Sequence, residues 1–296
     1  MLSGLAVPVP TLFDEAGALD PGRNGAFVRA LCTAGVEHVF LLGSLGEFPL
    51  VEESERKALV EVDVESLTGK SDAWVGVGAP STRLAVRYAT AAEEAGAAAL
   101  IAVPPYYLHP TPASIAHYYR ALRDATKVPL LAYNIPSLVG YPLDPVLVHR
   151  LARERILDGI KDTAGFLASV EGFLHGAPDG FPVLPGDDIL AADAIAKGAK
   201  GAIMGSANIV PKLGVALVRA AAAHETARAS ELQLLVNRLV RALHAGPFPS
   251  TDKFLAEQAW GAKVGYRSPY EPLTAEEQRA VLAEFDPLRP LLLPYR

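Results

Sequence analysis

Cysteine is nearly absent. Cys32 is the single one in 296 residues, which excludes a disulfide framework and a cysteine-based zinc cluster. A reducing compartment, the cytoplasm, is the expectation. The seven histidines fall nowhere at metal-ligand spacing, so no metal is expected either. Long apolar runs are also missing. The most apolar stretch, AGAAALIAVPPYYL, is short and broken by prolines, and the opening MLSGLAVPVP carries no basic segment ahead of an uninterrupted apolar run. Neither a membrane span nor a leader is expected. Charge of one sign never accumulates: the formal net charge is -6, 20% of residues are charged, and no block of like charges occurs. That balance argues against nucleic acid or an anionic membrane as a partner. Small polar ligands remain.

Hydrophobic residues make up 50% of the chain, ample core for one large domain with, at most, a small appendage. Short apolar runs bounded by Gly, Pro or Asp alternate with helix-like segments rich in Ala and Leu. The strand candidates are Leu5–Pro10, His38–Leu42, Trp74–Val77, Ala99–Val103, Pro129–Tyr133, Ile156–Lys161, Pro182–Pro185 and Gly201–Met204. They recur every ~20 to 35 residues, the size of a βα unit. Between them, Glu52–Leu67 and Ser81–Ala95 have helical patterns, and Asp144 with Pro145 supplies an N-cap and first-turn proline. The expected fold is α/β, an eightfold (β/α)8 TIM barrel of parallel strands. Lys212–His224 completes the barrel. Ala227–His244, Thr251–Ala262 and Thr274–Phe285 then form a three-helix C-terminal appendage joined by the linkers GPFPST and YRSPYEP. The barrel is assigned to residues 1–224 and the extension to residues 225–296.

Chemistry in such a barrel sits at the carboxyl ends of the strands. Strand two is followed by Gly43, Ser44, Leu45, Gly46 and Glu47, and strand four by Tyr106 and Tyr107. Strand five ends on Tyr133 and Asn134, strand six on Lys161, and Gly186, Asp187 and Asp188 follow strand seven. Taken singly, each has a plain structural explanation. Ser44 could cap a helix, Tyr133 could be a core aromatic, and Asp187 with Asp188 could start a helix. Together they gather a lysine, a hydroxyl, tyrosines and an amide at one face. A lysine buried at a barrel mouth loses hydration, which disfavours the ammonium form and suits Schiff-base chemistry. Side chains alternate along a strand, so with Lys161 inward, Ile160 and Asp162 point away. Asp162 is therefore not the expected catalytic acid.

Gly43–Glu47 (GSLGE), Tyr133–Pro136 (YNIP), Gly159–Asp162 (GIKD) and Gly201–Asn208 (GAIMGSAN), in this order and at these intervals, resemble the pyruvate-dependent class I aldolases. That group contains dihydrodipicolinate synthase, N-acetylneuraminate lyase and the 2-keto-3-deoxy sugar acid aldolases. The resemblance covers nearly the whole chain and implies a cofactor-free lyase. Lys161 would form an imine with pyruvate or a 2-keto acid, Tyr133 would shuttle protons, and Ser44 would hold the substrate carboxylate. Tyr107 would be lent by a neighbouring subunit, implying a homo-oligomer, typically a tetramer of paired dimers. Gly43, Leu45, Leu138, Gly186, Asp187 and Ile203 are the expected substrate-binding positions.

Within that group the dihydrodipicolinate synthase branch carries two threonines where this chain has Ser44 and Leu45, and an arginine where it has Leu138. Losing a bidentate carboxylate grip costs about 2 kcal/mol or more. GIKD followed by Thr163, Ala164 and Gly165, and GSAN after strand eight, are similar to the sugar-acid branch. The expected reaction is cleavage of a 2-keto-3-deoxy or related 4-hydroxy-2-oxo acid to pyruvate and an aldehyde. Leu45 and Leu138 leave room for a less hydroxylated or aromatic aldehyde. Three alternatives stand beside it: dihydrodipicolinate synthase itself, a noncatalytic keto-acid sensor, and a phosphate-handling barrel using Gly205 and Ser206.

Overall fold

The computed structural model describes residues 2–295. Eight parallel strands run in chain order: β1 (Gly4–Pro8), β2 (His38–Leu41), β3 (Asp72–Gly76), β4 (Ala99–Ala102), β5 (Leu130–Asn134), β6 (Gly159–Asp162), β7 (Val183–Pro185) and β8 (Gly201–Ile203). Each strand pairs with the next from β1 to β7, and β8 pairs back onto β1. This is the expected TIM barrel.

Alternation along each strand separates two cores. Ala6, Phe40, Trp74, Ile101, Leu131, Leu184 and Ile203 fill the barrel interior. Their neighbours, among them Val7, Val39, Leu130, Ala132 and Ile160, face the surrounding helices. Tyr133 pairs with Lys161 across β5 and β6, so phenol and amine occupy adjacent places on the same inner wall.

Strand six begins three residues later than Ile156. The preceding helix, Pro145–Arg153, closes through the Ile156 N–H donating to Leu151 O (2.9 Å), with Arg155 at φ 58. That closure takes Ile156 and Leu157 out of the ladder. Asp158 then terminates the turn by accepting from Leu130 N and Arg123, both at 2.8 Å.

The three expected trailing helices are present as Thr226–Leu243, Ser250–Trp260 and Ala275–Phe285. They fold back over the barrel. Trp260 donates its indole N–H to Asn208 O (2.6 Å), and Arg267 grips Glu55 bidentately at 2.6 and 2.7 Å. Lys253 and Glu47, 0% and 1% exposed at their side chains, form a buried ion pair between the second of these helices and the loop after β2. Among the described residues no helix is long and apolar enough to cross a membrane.

One buried acid on a helix around the barrel sets a pH dependence. Asp63, on the helix Glu53–Glu65, is 1% exposed, and burial pushes its carboxyl from 3.8 up to about 8. The unfolded chain releases this proton near pH 4, whereas the folded chain holds it to about 8. Its stabilising contribution is therefore complete below about pH 4 and lost as pH rises through 8. Asp63→Asn is expected to flatten that slope and to be more stable than the parent at pH 9 by about 1–3 kcal/mol. Urea denaturation at pH 5, 7 and 9 measures it; parallel slopes for both proteins would refute it.

Candidate active site

Strand six carries Lys161 to the carboxyl end of the barrel with its side chain inward, 4% exposed. Its amine donates to the Tyr133 hydroxyl at 3.0 Å and lies over the Tyr133 ring at 4.1 Å and the Phe40 ring at 4.9 Å. The approach depends on a missing side chain. A Cβ on Gly186, at the end of β7, would stand 2.4 Å from Lys161 Cε and 2.2 Å from Thr163 Oγ1. Only glycine leaves that space.

The Ser44 hydroxyl lies 3.4 Å from the Tyr133 hydroxyl, too far from any helix start to act as a cap. Burial pushes the Tyr133 phenol up. The adjacent Lys161 charge, its hydrogen bond, and the hydroxyls of Ser44 and Thr163 outweigh this and bring the phenol below its ordinary value of 10. A phenol so placed can exchange a proton with whatever is attached to the lysine nitrogen.

Asp162 points the other way. It accepts from Asn134 Nδ2 at 2.7 Å, while Asn134 Oδ1 accepts from Leu143 N at 2.9 Å. These contacts tie β5 to β6 outside the barrel. Burial raises the Asp162 carboxyl, opposed by hydrogen bonds from Asn134, Ser169 and the Ala164 backbone.

A cavity of about 370 Å³ opens above the lysine. Lys161, Tyr133, Ser44, Leu45, Leu138, Gly186 and Asp187 all line it. Ile203 does not; it packs in the barrel interior with Ala6, Phe40 and Leu184, one layer deeper. Gly43 faces a separate small cavity with Phe40 and Tyr133. Tyr107, at φ 74 and 89% exposed, stands outside the cavity of this chain.

Several lining residues were not among the expected site positions. Thr163 and Ile135 follow directly on the recognised strand ends. Val240, His244, Phe248 and Asp252 come from the C-terminal extension, which roofs the barrel mouth. Only the linker GPFPST hinted at them. Asp188 accepts from Gly205 N (3.0 Å) and Ser206 N (2.8 Å). Those two N–H groups are what a phosphate cup would need, and both are already engaged. Among the described residues no group of three or more His, Cys, Asp or Glu side chains is placed to hold a metal ion.

A TIM barrel with an inward lysine hydrogen-bonded to a phenol is the arrangement that a lyase working through a lysine imine requires. The chain belongs to the dihydrodipicolinate synthetase family, whose model matches residues 1–286, and it is a pyruvate-dependent class I aldolase of that family. It is 31% identical over 282 residues to the 4-hydroxy-tetrahydrodipicolinate synthase of Aromatoleum aromaticum, covering 95% of this chain and 97% of that one. To the probable 2-dehydro-3-deoxy-D-pentonate aldolase YjhH of Escherichia coli it is 35% identical over 259 residues, 85% of each. The structure of Escherichia coli YagE in complex with pyruvate superposes with a TM-score of 0.93 at 27% identity, covering 98% of this chain and 99% of that one. Relatives at about the same distance are thus named for two different activities.

Proposed function

We propose that the chain catalyses reversible aldol cleavage of a 2-keto-3-deoxy sugar acid, or a related 4-hydroxy-2-oxo acid, to pyruvate and an aldehyde. The observation that carries this reading is the Lys161–Tyr133 contact at 3.0 Å beneath a cavity whose lining, among the described residues, contains no arginine. In the proposed sequence the Lys161 amine adds to the C2 ketone. Tyr133 passes protons so that the carbinolamine oxygen leaves as water, giving a protonated imine. The C4 hydroxyl then loses its proton and the C3–C4 bond breaks. Its electron pair flows into the imine, and the aldehyde departs. Protonation of the enamine at C3 and addition of water to the imine release pyruvate and restore the amine. Ser44 is assigned the substrate carboxylate, together with backbone N–H groups of its loop.

Dihydrodipicolinate synthesis is the second reading, favoured by the similarity to the Aromatoleum enzyme. It needs a site for an anionic semialdehyde. Leu138 stands at the cavity rim, and Asp187, Asp188 and Asp252 all line the cavity. A second carboxylate on the aldehyde would meet acids there and, among the described residues, no guanidinium.

Two measurements test the proposal. Incubation with pyruvate and borohydride, followed by peptide mass spectrometry, is expected to place a reduced pyruvyl adduct on Lys161; an unmodified Lys161 would remove the imine mechanism. Aldol addition of pyruvate to a panel of aldehydes, aspartate semialdehyde included, ranks the partners. A clear preference for the semialdehyde, with a cyclised product, would reverse the choice between the two readings.

A further inference from the structure

The cavity above Lys161 is lined by residues of two unlike kinds. Leu45, Leu138, Val240, Leu243 and Phe248 are its apolar members, and Asp187, Asp188 and Asp252, near enough for each to feel its neighbour's charge, are its acids. Two of those acids already have backbone partners. Asp188 has both oxygens engaged by Gly205 and Ser206, and Asp187 accepts from Ile189 N at 3.2 Å. Asp252 differs. Its carboxyl accepts only from its own backbone N–H, with no bond from any other described residue. It is nevertheless held firmly, because Thr251 and Lys253 on either side are 0% exposed, the latter locked to Glu47.

Resting on the aldolase reading above, we propose that Asp252 is a specificity-determining residue that accepts a hydrogen bond from a hydroxyl on the aldehyde half of the substrate. It would thereby select an uncharged, hydroxyl-bearing aldehyde over an alkyl or an anionic one. A carboxylate wall rejects an anion by repulsion, and an unfilled acceptor beside an apolar wall disfavours a plain alkyl chain, which would strip water from the acid without replacing its hydrogen bond. Lys161 and His244 are the basic residues of this lining, and Lys161 is assigned to the keto acid. Burial, and then the nearby Asp188 charge, push the Asp252 carboxyl up to about 7. Near neutrality it can therefore accept from a hydroxyl or, when protonated, donate to one, and the repulsion of an anion belongs to its ionised form.

A purely structural role is the competing explanation. Asp252 sits in the first turn of the helix Ser250–Trp260, where an acid interacts favourably with the helix dipole. Such a role would change melting temperature without discriminating between aldehydes.

The test compares kcat/KM for addition of pyruvate to glyceraldehyde and to propanal, which has the same carbon count and no hydroxyls. Parent, Asp252→Asn and Asp252→Leu are measured, each first checked for the borohydride-trapped adduct on Lys161. Asp252→Leu is expected to lose about 10- to 100-fold toward glyceraldehyde, with propanal unchanged or improved, and Asp252→Asn, which keeps an acceptor oxygen, to lose less. An equal fall for both aldehydes, or no change in their ratio, would overturn the proposal. Should Asp252→Leu fail to fold, Asp252→Asn against Asp252→Ala carries the same comparison. If the parent forms no adduct, the aldolase reading itself fails; if it does and the ratio stays fixed, the assignment of Asp252 alone fails.

Discussion

Lys161→Ala is expected to abolish turnover, a loss on the order of 10⁴- to 10⁶-fold, while leaving the barrel folded. The amine supplies the covalent bond to the substrate, so no neighbouring group can replace it. Lys161→Arg should be equally inactive, because a guanidinium stays protonated and cannot add to a ketone. Tyr133→Phe provides the informative contrast. It removes the hydroxyl 3.0 Å from the amine and 3.4 Å from Ser44 but leaves the ring over which the amine lies. Imine formation should slow by about 10²- to 10⁴-fold and still be detectable as a borohydride adduct in single-turnover experiments. Asp162→Ala should retain far more activity than Lys161→Ala, since its carboxylate bonds to Asn134 on the outer side of the wall. Equal loss in those two variants would contradict the two-sided reading of β6.

That Ile160 and Asp162 face away from Lys161 was legible in the sequence because it follows from strand periodicity, and periodicity is local. The same holds for the eight βα units and for the capped helix starts, such as Asp144 accepting from Val146 N at 2.9 Å. What local pattern does not encode is where a turn ends and where a distant helix comes to rest. Ile156 and Leu157 look like strand residues, and a helix-closing turn through Arg155 claims them instead. Phe248 and Asp252 look like linker and helix start, and they become cavity lining only because the extension folds back over the mouth. Ile203 shows the converse. Its strand was identified from the pattern, yet its depth in the barrel depends on strand tilt, and it lies below the cavity.

The contact that holds the extension in place yields the second large effect. Lys253→Met is expected to destabilise the protein by about 3–5 kcal/mol, because it leaves the Glu47 carboxylate buried without its counter-charge. Burial pushes the Glu47 carboxyl up and the Lys253 ammonium down, and each is opposed by the charge of the other. Removing either partner therefore exposes the whole desolvation penalty of the one left behind. Lys253 also donates to Gly265 O at 3.1 Å and lies 4.7 Å over the Phe13 ring, so the same change loosens the chain that follows the helix. Glu47→Gln should cost less, since the neutral amide can still accept from the ammonium. The double change Glu47→Leu with Lys253→Met should recover much of the stability, as an apolar pair often replaces a buried ion pair at no net cost. Urea denaturation of the parent, Lys253→Met, Glu47→Leu and the double variant gives the coupling energy directly, and a cost below 1 kcal/mol for Lys253→Met would refute the argument. Activity separates stability from positioning: Glu47 closes the loop that presents Ser44 beside Tyr133. The double variant should therefore regain its fold while remaining impaired in turnover, because an apolar contact restores packing without restoring the direction that the ion pair imposes on the loop.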